Sequence, residues 1–181
     1  MPKSITIPEI NLFNDATNEF ITIKPQTIKI EHSLVSLSKW ERKWKKPFIS
    51  KDPKTEEELR DYVRCMTLTQ NVDSRVYEYM PQSCINEIIK YMEDPMTATT
   101  IKQNGPKKPN KQVITSEVIY GWMVVLGIPT EFQKWHLNNL LTLIDVVNNL
   151  NAPPQKMGRM ATMNQNRLLN EARRKALGSR G

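Results

Sequence analysis

The chain of 181 residues has two histidines and two cysteines, side chains well suited to proton transfer, nucleophilic attack or metal binding: His32, His136, Cys65 and Cys84. His136 follows Trp135 inside an apolar run, "EFQKWHLNNLLTLIDVVNNL" (131–150). General-base or nucleophilic catalysis there would need a nucleophile or a carboxylate held beside the ring. The sequence offers no G-x-S-x-G, no Cys–His pairing and no paired acids in an apolar setting. Its six glycines are too scattered to cradle a phosphate. Neither histidine stands at ligand spacing from either cysteine, so no metal site is expected. The cysteines sit in apolar helical patterns and read as small core residues with reduced thiols. No catalytic residue, cofactor or metal is therefore expected.

What remains is charge. The chain carries +7, and three segments concentrate it. Lys39–Lys46, "KWERKWKK", has five basic residues and one acid; Lys102–Lys111 has four basic residues and no acid; Lys156–Gly181 has seven basic residues and one acid. Together they carry +14, so the remainder carries −7. A slightly acidic body with basic appendages points to contact with something acidic, protein or nucleic acid. The candidate partner-binding residues are Arg42, Lys43, Lys45 and Lys46 in the first segment and Lys107 and Lys108 in the second. Arg167, Arg173, Arg174 and Lys175 complete the set in the third. Each segment also reads as a solvated face, with Trp40 and Trp44 turned inward from the first.

The elements that must position these charges follow from period and punctuation. "SITIPEI", "EFITIK" and "QTIKI" alternate, with turn chemistry at "NDATN", which predicts a small antiparallel sheet of two or three strands over residues 1–32. Pro8 and Pro25 favour edges or breaks. From Ser33 the period lengthens: Leu34, Leu37, Trp40 and Trp44 form a helical stripe that Pro47 ends. Thr55 with Glu58 is a capping box opening a second helix, with Leu59, Tyr62, Val63 and Met66 on its apolar face. "NVDSRVYEYM" reads as a turn, and "SCINEIIKYME" as a third helix bearing Ile85, Ile88, Ile89 and Met92. Residues 97–113 read as a loop or hairpin with a basic tip. Thr115 caps a short apolar helix ended by Gly127. Helices are expected at about 33–45, 55–67, 81–93, 115–126 and 130–149. The body then spans 33–152, and a basic helix or tail spans 153–181 behind Pro153 and Pro154. The fold class is α+β, mainly α: a helical bundle body, a small N-terminal antiparallel sheet and a basic C-terminal helix.

In the run 131–150, Thr130 and Gln133 suggest another capping box. On a helix, Lys134, Asn138, Asp145 and Asn149 share one polar stripe, and apolar residues cover most of the remaining circumference, more than an amphipathic helix needs. Such a helix is central to a bundle, or is buried on one side by its own domain and on another by a partner. Trp135, Leu140, Leu141 and Ile144 are expected in the core, and His136 is expected to hydrogen-bond to backbone or a neighbour. No stretch approaches the roughly 18 apolar residues of a membrane span, and "MPKSITIPEINLF" alternates instead of forming an apolar leader. The chain is expected to stay in the compartment where it is made.

Several stretches, in order, resemble a family of small proteins from the tail-gene region of long-tailed bacteriophages, commonly labelled tail assembly chaperones. They are "EHSLVSLSKWERKWKKPF", "DYVRCMTLTQNVD", "DPMTATT", "ITSEVIYGWM", "QKWHLNNLLTLI", "PPQKM" and "NRLLNEARRKALGSRG". Asp145 and "GRMATMNQNR" depart from the basic pattern of that family. The resemblance implies a non-enzymatic assembly factor in the host cell cytoplasm. Its partners would be the tape-measure protein, a long aggregation-prone helical rod, and the tail-tube protein that polymerises around it, with self-association as a further expectation. Nucleic acid ranks second as a partner, on the basic segments alone. A structural virion component, of tail or connector, is the third reading, and no membrane partner is expected.

Overall fold

The computed structural model describes residues 2–14, 18–100, 113–152 and 159–178. They divide into two compact units, Met1–Asn149 and Leu150–Gly181. The fold is α+β and mainly helical.

The N-terminal segment forms a long antiparallel ribbon. β1 (Lys3–Ile7) pairs with β4 (Gln26–Ile30), and β2 (Ile10–Asn14) with β3 (Glu19–Ile23). Ile7 faces Gln26 and Ile10 faces Ile23, so one register runs through both pairs and sets Pro8 opposite Pro25. Both prolines lack an N–H, so the ladder opens at that level on both strands. The stretch "SITIPEI", expected as one strand, is thus split in two. Alternation aims Ile5, Ile7, Ile28 and Ile30 into the core and Ser4, Thr6, Thr27 and Lys29 outward. The far edge of β4 is also satisfied: Glu31 N–H donates to the Met66 carbonyl (3.0 Å) and Leu68 N–H to the Lys29 carbonyl (2.8 Å).

The helices follow the expected punctuation. α1 (Leu34–Trp44) opens on a Ser33–Ser36 capping box and closes at Lys45, whose φ of 55° is left-handed. It buries Leu34, Leu37 and Trp40 and leaves Trp44 half-buried. α2 (Glu56–Met66) opens on the Thr55–Glu58 box and buries Tyr62, Val63 and Met66, with Leu59 half-buried. The segment read as a turn contains a short helix, α3 (Ser74–Glu78), because the Asp73 side chain accepts the Arg75 N–H. α4 (Gln82–Glu93) buries Cys84, Ile85, Ile88 and Tyr91; Ile89 and Met92 are half-buried. α5 (Ser116–Val125) ends before Gly127 at φ +65°, where glycine carries no Cβ penalty. Thr115 occupies the N-cap position, yet its side chain makes no capping bond. The Glu41 carboxylate takes the Ser116 N–H instead, at 2.7 Å.

The run 131–150 departs most from expectation. It is a 3-10 turn, Thr130–Lys134, then a break, then α6 (Leu137–Asn151). Thr130, expected as the cap, is the first residue of that turn, and Pro129 takes the cap position without a side-chain bond. At the break Trp135 is extended, His136 bridges to Ser33, and Leu137 N–H donates to the His32 carbonyl at 2.7 Å. Pairing with the chain at 32–33 overrides helix propensity there. Leu140 and Ile144 are buried as expected and Leu141 is only half-buried. Trp135 is not core: it is 39% exposed and stacks on Phe132 at 4.2 Å. The second unit holds α7 (Arg159–Leu177). The basic loop residues Lys107 and Lys108 lie outside the described residues.

Candidate functional site

The two histidines, far apart in sequence, meet in the core. Their ring centroids lie 5.1 Å apart, because His32 follows β4 and His136 sits at the bridge opposite Ser33. Burial, with the neighbouring His136, pushes the His32 pKa down to about 3, so its ring is neutral. Tyr62, whose phenol burial keeps protonated, donates to His32 Nδ1 at 2.7 Å. His136 Nε2–H donates to the Tyr91 carbonyl at 3.2 Å, the backbone bond expected of it. That leaves His136 Nδ1 as a buried acceptor with no partner among the described residues. The Tyr91 hydroxyl in turn donates to the Glu31 carboxylate at 2.8 Å. Both rings are almost wholly shielded from solvent. The cluster positions β4, α2, α4 and α6 against one another. No group of three or more metal-ligating side chains gathers among the described residues. Both cysteines are free thiols.

The first basic segment is partly structural. On α1, Lys43 reaches Asp61 of α2 at 2.7 Å and Lys46, just beyond the helix, reaches Glu58 at 2.5 Å. Trp44 Nε1 donates to the other Asp61 oxygen at 2.8 Å, and Trp40 Nε1 to the Glu58 carbonyl at 2.8 Å. Hydrogen bonds from Lys46 and from the Thr55 amide hold the Glu58 carboxyl below its usual range. Burial works to raise Asp61, but hydrogen bonds from Lys43 and Trp44 and the Arg64 charge outweigh it and lower this carboxyl too. Two of the four α1 candidates therefore clamp α1 to α2. Arg42 and Lys45 are exposed and make no ion pair among the described residues.

The third segment has the opposite character. On α7 every described side chain is exposed. Arg167 pairs with Glu171 at 3.3 Å, while Arg174 and Lys175 occupy the last turn, where cations complement the helix dipole. Arg173 stands immediately before that turn. Met160, Met163, Leu168 and Leu169 are exposed on the same helix. α7 is thus a cationic helix with unburied apolar side chains. α1 and α7 belong to separate compact units, and Lys107 and Lys108 lie outside the described residues.

Sequence reasoning missed three features. The His32–His136 contact has no local signal, since the residues are joined only by tertiary pairing. Phe13 and Phe20 pair across the β2–β3 tip with centroids 5.0 Å apart, which the symmetry of "FNDATNEF" about its turn could have revealed. Val124 and Val125, at the end of the very apolar α5, are largely exposed. No helix among the described residues is long and apolar enough to cross a membrane. Comparison with family models, with curated proteins and with solved structures finds no match to this chain.

Proposed function

We propose that this chain is a non-enzymatic tail assembly chaperone that binds the tape-measure protein in the host cell cytoplasm before tail-tube subunits polymerise around it. The supporting observation is α7, whose described side chains, arginines and leucines alike, are all exposed. A helix left this open within its own chain gains stability by docking on another, because an isolated helix is marginal in water. Its leucines and methionines would meet apolar stripes, and Arg167, Arg173, Arg174 and Lys175 would meet acids beside them. The partly covered α6 adds half-buried Leu141, Leu143, Val146 and Val147.

The test is co-expression of the tape-measure protein with the full chain or with a chain truncated after Asn151, followed by nuclease treatment and capture. Full-length chain keeps the client soluble and co-purifies with it. Truncation leaves the melting temperature nearly unchanged but weakens capture, and the difference shrinks as salt rises, since exposed charges are screened over roughly 10 Å at 0.1 M. Unfolding of the body on truncation would make the tail part of the core. Nuclease-sensitive capture, with a steep salt slope for nucleic acid alone, would replace the chaperone reading with the nucleic-acid one.

A further inference from the structure

The polar attachments of α6 to the body gather at its first turn. His136 bridges to Ser33, Leu137 N–H donates to the His32 carbonyl at 2.7 Å, and the Asn138 side-chain amide donates to the Met92 and Asp94 carbonyls at 2.9 and 2.8 Å. Before that turn, Gln133 accepts the Tyr120 hydroxyl at 2.9 Å. From Pro129 to Asn151 the buried side chains are His136, Leu137, Leu140 and Ile144, and the 3-10 turn Thr130–Lys134 contributes none. A segment with so few buried side chains belongs to the low-stability end of a fold, where local opening precedes global unfolding.

The pin at that turn includes a group that tolerates no charge where it sits. Both imidazoles are buried, with centroids 5.1 Å apart. Tyr62 of α2 fills His32 Nδ1, while His136 Nδ1 has no partner among the described residues. Facing the pair are Glu31 beside His32, Tyr62, Tyr91 of α4 and Asp94 just beyond it; Glu41 of α1 and Cys65 of α2 act on Tyr62. The Glu31 and Asp94 charges favour a proton on His136 and the amino-terminal charge opposes it, but burial outweighs the acids and keeps the ring neutral. A proton placed on Nδ1 in the core therefore makes a buried cation whose new N–H has no acceptor. Turning the ring out to water removes that cost. His32 is fixed on both sides, by β4 and by α1, whereas His136 follows the exposed Trp135 and leads into α6. His136 is the ring that can leave.

We propose that His136 is a proton-operated latch on α6: acidification turns its ring out of the core and releases residues 129–151, while the ribbon, α1, α2 and α4 keep their packing. The opening is local and precedes unfolding of the body. It acts within one chain and is independent of the client.

Native-state amide exchange of the full chain, followed by NMR at pH 7 and pH 5.5 in low urea, tests it. After correction for intrinsic rates, protection of the Leu137 and Leu140 amides falls by roughly fivefold to tenfold between these pH values, because an exposed histidine with a pKa of about 6.5 takes up a proton over that range. Their exchange responds to urea less steeply than that of the Glu31 and Leu37 amides, which report β4 and α1, because only part of the body opens. The Glu31 and Leu37 amides also stay the better protected at both pH values. His136→Gln can still donate to the Tyr91 carbonyl but takes no proton, so it lessens the pH response at Leu137. The pH and urea arms use wild type alone and stand even where the variant fails to fold. Equal protection and equal urea slopes at all four amides mean that only whole-body unfolding frees α6, and overturn the proposal. So do a Leu137 protection that ignores pH and a folded His136→Gln chain whose Leu137 response matches wild type.

Discussion

Lowering the pH from 7 to 5 should destabilise the folded body by about 2 kcal/mol through His32 alone. The folded-state pKa of His32 is depressed from 6.5 to about 3 by burial and the neighbouring His136. Between those values the unfolded chain binds a proton that the native ring refuses, so stability falls as pH falls, at up to about 1.4 kcal/mol per pH unit for one such group. The loss begins near the unfolded pKa and is about a third developed by pH 6. His136 is also depressed, chiefly by burial, and adds a loss of the same sign. The window is clean. Glu58, Asp61, Asp73 and Glu117 are lowered below values of 3.8 to 4.5, so their contributions are intact above pH 5 and are lost only at more acid pH. Tyr62, Tyr77, Tyr91, Tyr120 and Cys65 are raised and stay protonated throughout. Urea denaturation at pH 7, 6 and 5, followed by Trp fluorescence, measures the slope. His32→Gln should flatten it without abolishing it, since His136 remains. A wild-type change below about 0.5 kcal/mol from pH 7 to 5 would refute the reasoning, because a neutral buried His32 cannot be reconciled with so small a linkage.

Leu140 is fully buried, so Leu140→Ala should cost roughly 2–5 kcal/mol, whereas half-buried Leu141→Ala should cost distinctly less; equal shifts in denaturation midpoint would contradict the assigned face of α6. Glu41 is buried and accepts the Phe48 amide at 3.0 Å and the Ser116 amide at 2.7 Å, so Glu41→Ala orphans two N–H groups. It should destabilise by at least about 2 kcal/mol and speed amide exchange at Ser116; unchanged exchange there would show that the carboxylate does not cap α5.

The body was largely legible because its signals are local. The Thr55–Glu58 box, the Leu34–Leu37–Trp40 stripe and the glycine after α5 each act within a few residues, and each stands where the sequence placed it. The run 131–150 was misread for a non-local reason. Its apolar density is compatible with one long helix, but the bonds that break it at Trp135 come from His32 and Ser33, about a hundred residues away. Once the chain is pinned there, Trp135 falls outside the helix and outside the core. The N-terminal ribbon failed more mildly: the two prolines were visible, but that they sit opposite each other follows only from the register.

Charge was the weakest guide to function because its meaning depends on neighbours. "KWERKWKK" looked like one cationic surface, yet the acids that neutralise Lys43 and Lys46 come from α2 and were counted with the acidic body. The pairing removes much of what those lysines could offer a partner and converts it into helix–helix contact. Among the described residues α7 has no such partner on another element: Arg167 pairs with Glu171 within the helix, and exposed pairs contribute little. Net charge per segment therefore overstates α1 and represents α7 faithfully. Reversing charge on Arg173 and Arg174 should accordingly weaken client capture far more than reversing Lys43 and Lys46, whose loss should appear mainly in thermal stability.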